Sequence, residues 1–413
     1  MTDAASADAT GGLRRSLSLP LITFYGLGNI LGAGIYVLIG KVAGHAGLFA
    51  PLSFVLASLL AGLTAFSYAE LSARFPLSAG EAVYVRKGLG LSWLAAVVGL
   101  LIIFAGCVSS ATVLRGFVGY LQVFVAAPEA IALPLIVLLL GSLAAWGITQ
   151  SVTVAALFTL VEIVGLLLII GVGAPELGNL QTLPFEFERL GHSEAWVGIT
   201  VGAFLAFYAF LGFEDMVNVA EEVRQPERNM PRAILWTLTL STLLYFAIAL
   251  VAITSVSPRA LASSEAPLAL IYQTLTGREP VLITLIGMFA VVNGALIQMI
   301  MASRVVYGMA DRGWLPRLLG RIHPQTRTPI IATVLIATAV LSLALWGTVE
   351  ALAKATSYTL LLVFGLTNLS LWRLKGRQPH PAGIIRIPRW VPALGFIASL
   401  AVILIQVAID KGV

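Results

Sequence analysis

The chain has 413 residues, 59% of them hydrophobic and only 11% charged, with a mean hydropathy of +0.95 and a formal charge of +5. Soluble domains carry roughly a quarter charged residues, so this composition excludes one and defines a polytopic membrane protein. The single cysteine, Cys107, excludes an intrachain disulfide and a multi-cysteine metal site, and four scattered histidines without paired spacing argue against a zinc hydrolase.

Residues 1–15 are mostly small and polar and read as a disordered cytoplasmic tail; residues 16–413 read as one membrane domain. The first span opens at Ser16 and carries no charge as far as Gly40, long enough for the roughly twenty residues a crossing helix needs. Its stretch Gly26-Leu-Gly-Asn-Ile-Leu-Gly-Ala-Gly-Ile-Tyr-Val-Leu-Ile-Gly40 holds five glycines. Glycine weakens a helix, and unpaired peptide groups cannot face lipid. An interruption here therefore belongs inside protein, with its free backbone groups offered to a ligand. Glycine also lets membrane helices pack closely, and the first span alone does not separate these two uses.

Further spans centre on Leu59, Ile103, Leu139, Val164, Leu205, Leu244, Phe289, Ala337, Leu362 and Leu400, which with the first (Leu31) predicts eleven helices. Between Ala130 and Gly173 the only charge is Glu162, and Gly147-Ile-Thr-Gln-Ser151 supplies the turn that divides this run into helices four and five. With the N-terminus cytoplasmic, only Lys41, Arg115, Arg189, Arg259, Arg278, Lys354 and Lys411 of the 25 basic residues fall outside. The +5 charge thus reports topology, not nucleic-acid binding, and an odd helix number puts the C-terminus outside. The outer segment Pro175 to Ala195 is acidic, with Glu176, Glu186, Glu188 and Glu194.

The sixth span reads Gly202-Ala-Phe-Leu-Ala-Phe-Tyr-Ala-Phe-Leu-Gly-Phe-Glu-Asp215. Two carboxylates inside a membrane helix cost a few kcal/mol each if they face lipid, so Glu214 and Asp215 must meet protein, water or an ion. Helices one and six hold matching places in two five-helix halves. Matched interruptions are the sequence pointer to an inverted-repeat transporter with its site at the midplane. Repeat one covers about 16–173, repeat two about 195–373, and an extra helix about 390–409.

Four stretches resemble the amino acid permeases of the amino acid–polyamine–organocation superfamily: Gly28 to Tyr36, Ser67 to Glu81, Phe210 to Arg232, and Ala302 to Pro316 with His323 to Pro329. The resemblance implies an all-α, LeuT-like 5+5 inverted repeat with discontinuous helices one and six. It implies an amino acid cargo whose carboxylate meets free N–H groups of Gly32, Ala33 and Gly34, where a half-helix start favours an anion. The cargo's amine would meet carbonyls of Tyr208, Ala209 and Leu211. Phe207, Tyr208, Phe210 and Phe213 are placed to gate the bound side chain, with helix packing as their alternative use. Ile30 and residues near Cys107, Ser109 and Ser110 would line a side-chain pocket that suits a neutral amino acid unless an acid joins it.

The chain departs from the family's usual twelve spans, from glycine at Ala79 and from an aromatic at Ala82. In helix five, alignment sets Glu162 where proton-linked relatives carry a lysine. Glu162 then has three readings: proton carrier, ligand of a cation beside Asn293, or a structural protonated acid; Glu214 is the rival carrier. The loop Glu221 to Arg232 reads as an inner gate or as a solvated charged loop, with Pro231 starting helix seven. Lys41 and His45 read as interfacial. The expected activity is secondary transport of an amino acid by alternating access, coupled to H+ or Na+ or run as an exchange. Enzymatic activity and a bound cofactor are not expected, and no Gly-Lys-Ser phosphate loop occurs. A cation, amine or polyamine carrier on the same scaffold, and a substrate receptor without flux, remain the alternatives.

Overall fold

The computed structural model describes residues 13–124, 128–181, 190–264, 266–346, 349–378 and 380–410. Glu186, Glu188, Arg189 and Lys411, named above, lie outside the described residues, as does most of the N-terminal tail.

The described chain is all-helical. In order it forms α1 (Leu19–Leu31), α2 (Ala33–Ala46), α3 (Ala50–Arg74), α4 (Gly80–Leu89), α5 (Ser92–Phe124), α6 (Glu129–Trp146), α7 (Ile148–Gly173) and α8 (Ser193–Ala209). There follow α9 (Pro226–Ser255), α10 (Pro258–Ser263), α11 (Pro267–Thr276), α12 (Val281–Asp311), α13 (Ile330–Trp346), α14 (Val349–Arg377) and α15 (Trp390–Asp410). All eleven span centres expected from the sequence fall inside these helices; α4, α10 and α11 are short helices between spans. Among the described residues, eight stretches are long and apolar enough to cross a membrane, from Leu19–Tyr36 to Val281–Asp311. Ile330–Trp346 and Trp390–Ile405 are shorter apolar helices.

Large apolar side chains such as Leu59, Leu138, Val164 and Trp346 point outward, as they would toward lipid. Inside, α3 packs along α9 and α8, α12 along α5, and α2 along α8. The first span is cut at one residue: α1 ends at Leu31, Gly32 leaves helical geometry (φ −41°, ψ −136°), and α2 starts at Ala33. The sixth span is cut more widely. Helix α8 ends at Ala209, a turn follows, and a 3-10 segment runs from Glu214 to Glu222.

Helix α9 corrects one boundary. It starts at Pro226, capped by Gln225 in the left-handed region (φ 46°), so Pro231 lies inside it and does not open it. Pro226 takes the first-turn position where a missing N–H costs nothing, and the basic-acidic stretch after it already belongs to the helix. Ahead of α1, Leu17 forms a parallel bridge with Val223: Ser16 and Leu17 donate to the Glu222 carbonyl at 2.9 Å, and Arg224 donates to Leu17 at 2.9 Å.

Candidate functional site: a cavity between two broken helices

The two cuts face one cavity of about 360 Å3, at the small end of the roughly 300–1,000 Å3 typical of small-molecule sites. Its wall takes Ile30, Gly32, Gly34 and Leu38 from the first span, and Tyr208, Ala209, Leu211 and Gly212 from the sixth. Helix α5 contributes Ile102, Ser109 and Thr112 among others, α12 contributes Gly294, Gln298 and Met301, and α14 contributes Thr356 and Leu360. Starting α2 at Ala33 leaves its first-turn N–H groups without intrahelical partners, at the positive end of that half-helix. The carbonyls ending α8 form the opposite pole.

One side of the cavity is acidic. Glu214 and Asp215 both line it, and no Lys, Arg or His occurs among the described lining residues. Asp215 accepts from Asn29 Nδ2 at 2.5 Å and from Gln298 Nε2 at 2.6 Å, and Gln298 also donates to Asn29 Oδ1 at 3.2 Å. Three helical segments are thereby tied together under the cavity. Glu214 accepts from the Gly212 N–H at 2.8 Å, and the Gly212 carbonyl accepts from Asn29 at 3.0 Å. Only glycine fits there: its φ is +129°, and a Cβ would lie 2.7 Å from Asn29 Nδ2.

Behind α1, Glu162 and Asn293 meet. Asn293 Nδ2 donates to Glu162 Oε1 at 2.9 Å and to Thr159 Oγ1 at 3.0 Å, and Thr159 reaches the Phe24 carbonyl at 3.2 Å. Gly28 makes this approach possible, since a Cβ there would lie 2.1 Å from Thr159 Oγ1. Glu162 is fully buried, and its Oε2 has no hydrogen-bond partner among the described residues.

The sequence-derived site residues divide accordingly. Ile30, Gly32, Gly34, Tyr208, Ala209, Leu211 and Glu214 share the cavity wall, and Ala33 opens α2 beside them, its side chain outside the described set. Glu162 and Asn293 are brought together, one layer away. Of the aromatics, only Tyr208 reaches the wall. Phe210 packs on Tyr245 with ring centroids 5.1 Å apart, Phe213 packs on Tyr68 (5.7 Å) and Phe364 (5.6 Å), and Phe207 belongs to the buried core. Ser109 lines the cavity, whereas Cys107 and Ser110 are buried off it. Lys41 and His45 are exposed.

Sequence reasoning missed Asn29, Gln298 and Tyr245. Tyr245 Oη lies 2.6 Å from the Ile30 carbonyl and 3.0 Å from the Ala209 carbonyl, so its one proton serves both cut helices. Each of the three is a polar side chain in an apolar span, and that rarity was the available signal.

Past the cavity's acidic side, toward the basic face of the bundle, the Glu214–Glu222 segment is tied to α12. Arg304 pairs with Glu222 at 3.3 Å, both fully buried, and Arg312 pairs with Glu221 at 3.4 Å, both partly exposed. Glu221 and Glu222 thus pair with α12, and Glu227, Arg228 and Arg232, in the first turns of α9, are exposed.

Comparison with known proteins agrees with this architecture. The family model described as amino acid permease matches residues 17–412. The chain is 30% identical to the cationic amino acid transporter 2, vacuolar, of Arabidopsis thaliana, over 92% of its own length and 64% of the plant protein's. It is 29% identical to the branched-chain amino acid permease BcaP of Bacillus subtilis (97% of this chain, 90% of that protein). It is 28% identical to the methylthioribose transporter of the same organism (94% and 87%). The chain belongs to the amino acid permease family of the amino acid–polyamine–organocation superfamily: it is a multi-pass membrane transporter and not an enzyme.

Proposed function

We propose that the chain is a secondary active transporter that moves an amino acid by alternating access, on two inverted five-helix repeats with an appended last helix. The observation that carries this reading is the cavity walled by both helix cuts. A zwitterion fits it in one orientation. Its carboxylate meets the N–H groups of Gly32, Ala33 and Gly34, and its amine turns to the carbonyl end of α8 at Tyr208, Ala209 and Leu211. One ligand thereby bridges two separately movable segments, which couples occupancy to rocking. The basic face that holds Arg304 and Arg312 is cytoplasmic, in the cell membrane, by the asymmetry of basic residues.

The apolar wall of Ile30, Leu38, Ile102 and Leu360 suits a neutral side chain. A second reading rests on Glu214 and Asp215: two acids without a basic neighbour on the wall favour a cargo with an additional cationic group, as in a basic amino acid or polyamine. Relatives named for cationic and for branched-chain amino acids support either. Uptake of labelled leucine, arginine and spermidine into proteoliposomes of the purified protein, with and without pH and sodium gradients, tests this. Uptake of none of them, with binding also absent, would sink the amino acid reading; flux of an ion alone would make the chain an ion carrier.

Glu162, held by Asn293, is proposed as the coupling acid, with Glu214 as its rival. An inward gradient of one pH unit offers about 1.4 kcal/mol per proton, a roughly tenfold accumulation. Glu162→Gln is expected to abolish that accumulation while substrate exchange persists. An unaltered pH response would transfer the role to Glu214.

A further inference from the structure

Beneath the cavity, a second polar cluster lies where α3, α4, the Glu214–Glu222 segment and α14 converge. Its members are Tyr68, Ser78, Glu81, Tyr84, Asn218 and Thr367, each at most 1% exposed. Gly80 N–H donates to Asn218 Oδ1 at 2.9 Å, which locks the start of α4 to the 3-10 segment. The rings of Tyr68 and Tyr84 meet edge to face at 6.2 Å, and Tyr68 in turn packs on Phe213. Neither Glu81 oxygen has a hydrogen-bond partner among the described residues. The same holds for the Tyr68, Ser78, Tyr84 and Thr367 hydroxyls and for Asn218 Nδ2.

So many buried, unpaired polar atoms in one place require a role, because native interiors leave few. A packing role does not account for Glu81: an acid in the first turn of a helix normally works ionised and in water, and this one is buried with neither oxygen in a well-formed hydrogen bond to a described donor. The neighbours suit an acid that changes state. A hydroxyl accepts from a protonated carboxyl in one rotamer and donates to a carboxylate in another, and three tyrosine and threonine hydroxyls belong to this cluster. Among the described residues no cation neutralises the site. The segment below the cavity brings the carboxyls of Glu214 and Asp215, α3 and α4 bring tyrosines, and α14 brings Thr367. Lys375 of α14 is engaged by Glu70, Arg86 and Lys87 of α4 are exposed, and the sole charge of α5, Arg115, lies at its far end near Ala344. Burial pushes the Glu81 carboxyl up to about 8, against its own backbone amide, which opposes the rise; the Asp215 charge adds to it and the nearby Asn218 amide opposes it more weakly.

We propose that Glu81 is a second proton-holding site, on the floor of the cavity, which trades its proton with Glu214 or Asp215 above and with the basic face when the floor opens. This rests on the proton-coupled reading above. The step moves one proton and nothing else: the acid form of Glu214 or Asp215 loses its O–H proton, hydroxyls relay it, the Glu81 carboxylate takes it, and water at the basic face removes it. Opening the floor shifts the Glu214–Glu222 segment, which carries Asn218 and both upper acids, so one movement changes the amide and the carboxyl neighbours of Glu81 together.

The test compares the full-length wild type with Glu81→Gln. A folded-state value of about 8 against the ordinary 4.5 means that the folded chain keeps this proton between those pH values while the unfolded chain releases it. The group's contribution to stability is therefore full below pH 4.5, falls as pH rises to about 8, and is level above. Infrared pH-difference spectra should show a protonated-carboxyl band lost near pH 8 that is smaller by one group in Glu81→Gln than in the wild type, and the variant's melting temperature should fall less over the same pH range. In proteoliposomes it should lose the dependence of efflux on the pH at the basic face. Identical spectra and melting profiles would overturn the proposal while leaving proton coupling intact. Wild-type uptake indifferent to pH would sink the coupling reading and the exchange step with it, and the spectra would still decide whether Glu81 holds a proton. If Glu81→Gln does not fold, Tyr84→Phe keeps the acid and removes one of the hydroxyls proposed to turn toward its carboxylate; the titration should move upward, and an unmoved one counts against the site.

Discussion

Replacing Gly34 by leucine is expected to weaken substrate binding by roughly a hundredfold or more, about 2.7 kcal/mol. The two cut helices meet at this residue: a Cβ on Gly34 would lie 3.0 Å from Ala209 Cα and 3.2 Å from Ala209 Cβ. A leucine side chain therefore either enters the cavity beside the α2 N-terminus or pushes α8 away, and both outcomes displace a bound carboxylate. Hydrogen bonds to a charged group contribute roughly 1.5–3 kcal/mol each, so the loss of one or two accounts for the expected effect. Equilibrium binding to purified protein checks it, with the melting profile as a control for folding. Gly34→Ala, which adds only the close Cβ, should fall between. Unchanged affinity in the leucine variant would remove the carboxylate site from the first span.

The second large effect belongs to the floor. Arg304→Leu should destabilise the protein by roughly 3–5 kcal/mol, because it leaves Glu222 charged, buried and alone. The pair is fully buried at 3.3 Å, and Ser303 is the other partner of the guanidinium, at 3.0 Å from Nη1. Taking both charges out is different: apolar residues of similar volume in place of a buried ion pair are often neutral or better. The double variant Glu222→Leu/Arg304→Leu should thus recover most of the lost stability in a denaturant or thermal series. If it melts no later than Arg304→Leu alone, the pair is not what the single substitution breaks.

Much of this architecture can be read from residues in order. Gly32 marks a cut because glycines cluster where charge is absent, and Glu162 and Glu214 stand out as acids in apolar spans. Contacts across helices are a different matter. Nothing near Asn29 in the chain announces Asp215 or Gln298, which lie far away in sequence and meet it only through the packing of α1 against α12 and the 3-10 segment. The aromatics of the sixth span show a further limit. Where every face of a helix is apolar, hydropathy has no contrast to orient it, so Phe210 and Phe213 cannot be told from Tyr208 without the neighbours they pack on. Pro231 illustrates the local version: a proline preceded by another five residues earlier marks a helix start only for the first of the two.

The short bridge between Leu17 and Val223 makes the state of the floor visible from inside the backbone. Its three linking amides, at Ser16, Leu17 and Arg224, are bonded between segments and not within a helix, so they open only when the segments part. Deuterium incorporation at those positions measures the free energy of that parting directly, with α-helical amides of the same molecule as the protected baseline. A cargo that holds the floor shut slows their labelling, and one that favours the opposite state speeds it. The direction of access of each ligand complex is thus written in the exchange rates of three peptide groups, without a label attached to the protein.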